Sequence, residues 1–129
     1  MIPPLFPILS GNAAVTALLG AAPNTRVYPF GEAPAKPVYP YVTWQIISGT
    51  PEVYLADRPD IDDVRVQIDC WGDGGAGKNG AASVNSVADA IRNVLEGHGY
   101  MVDFGNTERD PDTVSYRYRM DFEFWTHRG

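Results

Sequence analysis

Val114-Ser115-Tyr116-Arg117-Tyr118-Arg119-Met120-Asp121-Phe122-Glu123-Phe124-Trp125-Thr126 alternates apolar and charged residues along most of its length. A period of two is that of a β-strand, so Tyr116, Tyr118, Met120, Phe122 and Phe124 share one face, while Arg117, Arg119, Asp121, Glu123 and Trp125 share the other. A strand with one apolar and one charged face belongs to a sheet that is covered on one side and wet on the other, which is the habit of antiparallel sheets.

Two upstream segments carry the same period. Val64, Val66, Ile68 and Cys70 oppose Arg65, Gln67, Asp69 and Trp71, and Val42, Trp44 and Ile46 oppose Tyr41, Thr43 and Gln45. Residues 49–63 between them hold Pro51, Pro59 and a cluster of acids, which suits a long protruding connection or a lengthened hairpin better than a tight turn. Residues 100–104 read as a short strand, and residues 105–113 as a polar turn.

The helices follow from 3.6-residue spacing and end signals. Ala13 to Leu19 is helix-forming, with Asn12 as N-cap and Gly20 as stop. Val84, Val87, Ala88, Ile91 and Leu95 form a stripe that is to lie on the sheet, ended at Gly97. From Arg26 to Pro40 the prolines at 29, 34, 37 and 40 each remove a backbone donor, so one edge strand followed by an extended loop is expected. The fold class is α+β: an antiparallel sheet of about four to five strands with two helices packed on one face, in a single domain over residues 1–129.

Composition narrows function. The 129 residues are 44% hydrophobic, enough for one core, and ten basic against sixteen acidic residues give a net charge of −6. Such a surface repels a phosphate backbone, so sequence-independent nucleic-acid binding is not expected. Residues 52–73 carry seven acids and two arginines, a local balance of −5. Prolines break the apolar N-terminal run well before membrane-spanning length, and no basic residue before Arg26 supplies a secretory n-region. A single cysteine excludes an intrachain disulfide. A soluble intracellular protein is expected.

Candidate chemical motifs lack their contexts. Gly72-Asp73-Gly74-Gly75-Ala76-Gly77-Lys78-Asn79 has the spacing of a phosphate-cradling loop, but Asn79 stands where magnesium requires a hydroxyl. Gly75, Gly77 and Gly80 also fit a dinucleotide-type pattern with Asp103 downstream, yet both sites belong to parallel sheets of several strand-helix units. Asp57, Asp60, Asp62 and Asp63 crowd together without calcium-loop spacing. Asp103-Phe104-Gly105 is a chance tripeptide, His98 and His127 read as ordinary surface or helix-end residues, and Cys70 falls on the apolar face of its strand as a small hydrophobe. No catalytic constellation, cofactor site or metal site emerges.

The ordered segments Arg26-Val27-Tyr28-Pro29 through Ala33-Pro34, Pro40-Tyr41-Val42, Ile47-Ser48-Gly49-Thr50-Pro51-Glu52-Val53-Tyr54-Leu55, Arg65-Val66-Gln67-Ile68-Asp69 and Tyr116 through Trp125 resemble the tail-completion, or tail-terminator, proteins of long-tailed bacteriophages and gene transfer agents. The likeness spans nearly the whole chain, and the Arg-x-Gln-Ile-Asp and Pro-Tyr-Val strands are its distinctive parts. It implies a non-enzymatic virion protein without cofactors. Such a protein forms a ring, usually hexameric, that caps the tail tube, ends tail polymerisation and joins the tube to the head-tail connector. It implies a place at the head-proximal end of the tail, host cytoplasm during assembly, no membrane partner, and DNA passing through the channel without specific binding. A ring needs two different contact surfaces on each copy. The expected interaction residues are Tyr28, Tyr39 and Tyr41 in or beside the proline-rich arm, and Tyr54, Asp57, Asp60, Asp62 and Asp63 in the long connection. The alternative functions are a small nucleotide-binding module using residues 72–79, or a neighbouring head-tail adaptor.

Overall fold

The computed structural model describes the backbone of residues 4–54, 57–105, 107–111 and 114–127, and side chains over 4–48, 63–105, 107–111 and 114–125. Two short helices, α1 (Leu5–Ser10) and α2 (Ala13–Leu19), precede strands β1 (Val27–Pro29), β2 (Tyr41–Tyr54) and β3 (Asp57–Asp73). Then follow helix α3 (Gly80–Leu95) and strands β4 (Tyr100–Phe104), β5 (Glu108–Asp110) and β6 (Ser115–His127). The six strands form one sheet in the order β1-β2-β3-β6-β4, with β5 also on β6. Both β4 and β5 are antiparallel to β6, one after the other along it.

This is the expected α+β architecture, with additions. A third helix, α1, forms in the N-terminal run, where the sequence pattern points to none. Pro7 sits in the first turn, where its missing N–H has no intrahelical acceptor to lose, and Leu5 and Leu9, one turn apart, are buried. A sixth strand, β5, forms inside residues 105–113, read from sequence as a polar turn. One pairing is parallel: Val27 lies beside Val42, because the proline-rich connection carries the chain back to the same end before β2 begins. Residues 49–63 resolve into a lengthened hairpin, since β2 and β3 stay paired out to Tyr54 and Asp57. Its acids therefore stand on a strand and not on a loop.

Local signals explain the rest. Asn12 accepts a hydrogen bond from the Val15 amide at 3.2 Å as the N-cap of α2, and Gly20 ends that helix at φ 97°. Arg26 fastens α2 to the sheet, donating to the carbonyls of Leu18 (3.0 Å) and Pro40 (2.8 Å). Between β3 and α3 the glycines answer to packing. A Cβ on Gly72 would meet Val84 at 2.5 Å, and one on Gly80 would overlap the Asp73 carbonyl.

The helices cover one face of the sheet. Val42, Val66, Ile68, Cys70, Met120, Phe122 and Phe124 from the strands join Leu5, Leu9, Val15, Leu19, Val84, Val87, Ile91 and Leu95 from the helices in a single buried cluster. Cys70 is part of it as a fully buried free thiol whose ionisation burial suppresses, with the Asp69 charge adding to the effect. The opposite face has no described layer over it. No helix among the described residues is long and apolar enough to cross a membrane.

Candidate functional site

The uncovered face is built from the charged half of each alternating strand. At one end Tyr41, Trp71 and Arg117 lie side by side on β2, β3 and β6. The rings of Tyr41 and Trp71 stack at 6.0 Å and 10°, and the Arg117 guanidinium lies over Trp71 at 5.7 Å. Tyr39 (5.4 Å) and Tyr28 (6.4 Å) tilt against Tyr41, so the proline-rich arm adds two rings to this aromatic end. The Trp71 indole N–H is satisfied by the Thr43 hydroxyl at 3.0 Å. Partial burial, and then the nearby Tyr39, push the Tyr41 hydroxyl above its usual range.

Next along the strands comes a row of paired charges. Asp69 accepts from Arg117 at 3.1 Å and from Gln67 at 3.0 Å. One oxygen of Asp121 accepts from both Arg65 (2.9 Å) and Arg119 (3.2 Å), and Arg119 also reaches Asp103 at 3.3 Å. Asp69 and Asp121 are buried while the three arginines stay about one-third exposed. The carboxylates are thus shielded by guanidinium planes whose outer edges remain in water, an arrangement that keeps hydrogen-bond donors available on a rigid sheet. Farther on, Glu123 lies close enough to Asp63 for its protonated carboxyl to hydrogen-bond it. That bond, partial burial and the Asp63 charge raise its pKa, against the lowering effects of Tyr100 and Arg65.

The residues expected to make contacts are therefore split. Tyr28, Tyr39 and Tyr41 do come together, joined by Trp71, which the sequence reading had not singled out. Tyr54 pairs in backbone register with Asp57, and Asp62 with Pro51, at the far end of the hairpin; the side chains of Tyr54, Asp57, Asp60 and Asp62 lie outside the described residues. Thirteen strand steps separate Tyr41 from Tyr54, about 40 Å, so the two groups cannot form one patch on a single copy. Asp63 stands between them, opposite Thr50 on β2 and Trp125 on β6. Trp71, Arg117, Arg119 and Asp121 were missed as a site because their grouping depends on how β3 aligns with β6. The available signal was the opposite sign of Asp69 on β3 and Arg117 and Arg119 on β6, all on wet-face positions.

The glycine segment has a different geometry from a phosphate loop. β3 is antiparallel to both neighbours. The Gly75 amide donates to the Asp73 carboxylate at 2.9 Å, which places an anionic group where a phosphate oxygen would be needed. Arg109 binds the Gly74 carbonyl at 3.3 Å, and the Gly74 amide binds the Val114 carbonyl at 2.9 Å. An open depression of about 460 Å³ between this segment and the arm is lined by Pro37, Tyr39, Pro40, Asp73, Lys78 and Ser83. Among the described residues no three metal-ligating side chains gather.

The family model described as tail completion protein gp17 matches residues 3–127. The chain belongs to that family. It is therefore a tail completion protein, a structural component of the phage-type virion. Among solved structures, a chain of the "Virion of native gene transfer agent (GTA) particle" shares the fold with a TM-score of 0.61 at 18% identity, over 96% of this chain and 92% of that one. No curated protein matches. The tail completion fold here thus carries its helices on one face and leaves the other, with its aromatic end and arginine-carboxylate row, open.

Proposed function

We propose that this tail completion protein is a tail terminator: copies form a ring, usually six in the related proteins, that caps the tail tube, ends its polymerisation and joins it to the head connector. The observation that carries the reading is the family match across nearly the whole chain. A virion chain from a gene transfer agent with the same fold supports it, as does a sheet face whose aromatic end and arginine-carboxylate row have no described layer over them. In this reading the protein is not an enzyme, and it acts at the head-proximal end of the tail after assembling in the host cytoplasm. The partners are further copies of itself, the tube protein and the connector protein.

Tyr28, Tyr39 and Tyr41 offer one contact surface, and the hairpin bearing Tyr54, Asp57, Asp60, Asp62 and Asp63 offers another. Acidic residues facing a channel would repel DNA and let it pass without sticking.

In vitro complementation tests the role. An extract containing heads and unfinished tails but lacking this chain should yield joined, functional particles when purified protein is added. Failure to join, with tails already of normal length, would move the protein to an adaptor position. Lys78→Ala should complement as well as wild type, whereas a nucleotide-dependent module would lose its activity.

A further inference from the structure

We draw no further inference here: the strongest candidate, the open sheet face where Tyr28, Tyr39, Tyr41 and Trp71 gather beside Arg117 and Arg119, carries nothing because both arginines are already paired with the carboxylates of Asp69, Asp121 and Asp103 and nothing in the structure shows what covers it.

Discussion

Val66 and Gln67 are consecutive residues of β3, and the two faces they serve are held by different physics. On the helix side Val66, Ile68, Met120 and Phe122 are sealed, and their stabilisation comes from apolar area taken out of water. On the open side Asp69 and Asp121 are buried beneath arginines that still touch solvent, so that face is held by charge-assisted hydrogen bonds. The comparison teaches that one alternating sequence can hold the two sides of a sheet by different means, apolar burial on one and arginine-carboxylate hydrogen bonds on the other.

The sharpest way to break this comparison is to truncate one large side chain on each face of β6. Phe122→Ala should cost about 4 kcal/mol in urea or thermal unfolding, the usual range for a buried phenylalanine. Trp125→Ala, at a residue 64% exposed on the other face, should change stability by less than about 0.5 kcal/mol. Similar losses would mean that the open face is packed like the core.

A second test concerns the buried carboxylate. Asp121 is 1% exposed and one of its oxygens is served by both Arg65 and Arg119. Removing both arginines to alanine should cost about 3 kcal/mol, because a buried charge is then left without a cation. Each single change should cost less than half of that, since one guanidinium remains, and a double-mutant cycle reads the difference. Additive losses would show that the two arginines act independently.

The junction where the chain leaves the sheet for the helix layer gives a third, smaller effect. Gly80→Ala should destabilise by about 2 kcal/mol, because the added methyl overlaps the Asp73 carbonyl and the strand-helix crossing must open.

The smallest effect is a pH dependence on the open face. Glu123 holds its proton more tightly when folded than when unfolded, chiefly through its hydrogen bond with Asp63. The native state therefore binds more protons in that window. The contribution is fully present below the ordinary carboxylate value and is lost as pH rises through the raised one. Glu123→Gln keeps a donor toward Asp63 at every pH. It should stabilise the protein by up to about 0.5 kcal/mol at pH 7 and not at all near pH 4, as followed by thermal unfolding at both values.

Much of this architecture is legible in the chain because its strongest signals are local. The alternation in β3 and β6 marks both faces, Asn12 and Gly20 bracket α2, and the stripe from Val84 to Leu95 lies on the sheet where its spacing puts it. α1 is hidden because Pro7 reads as a breaker unless its place in the first turn is known. β5 is hidden because three residues, Glu108–Asp110, carry no pattern of their own and become a strand only beside β6. The open face is legible by halves. Tyr28, Tyr39 and Tyr41 lie close together in sequence, whereas Asp69 and Arg117 meet only through the register of two long strands. The five glycines from Gly72 to Gly80 mimic a ligand loop in sequence, yet Gly72 and Gly80 are small because a helix crosses a strand there.

Electron microscopy of particles from a strain lacking this chain tests the central claim most directly. The account predicts filled heads beside tails that are overlong or unjoined, with normal particles restored by supplying the wild-type chain. Normal-length, joined and functional particles in its absence would contradict it.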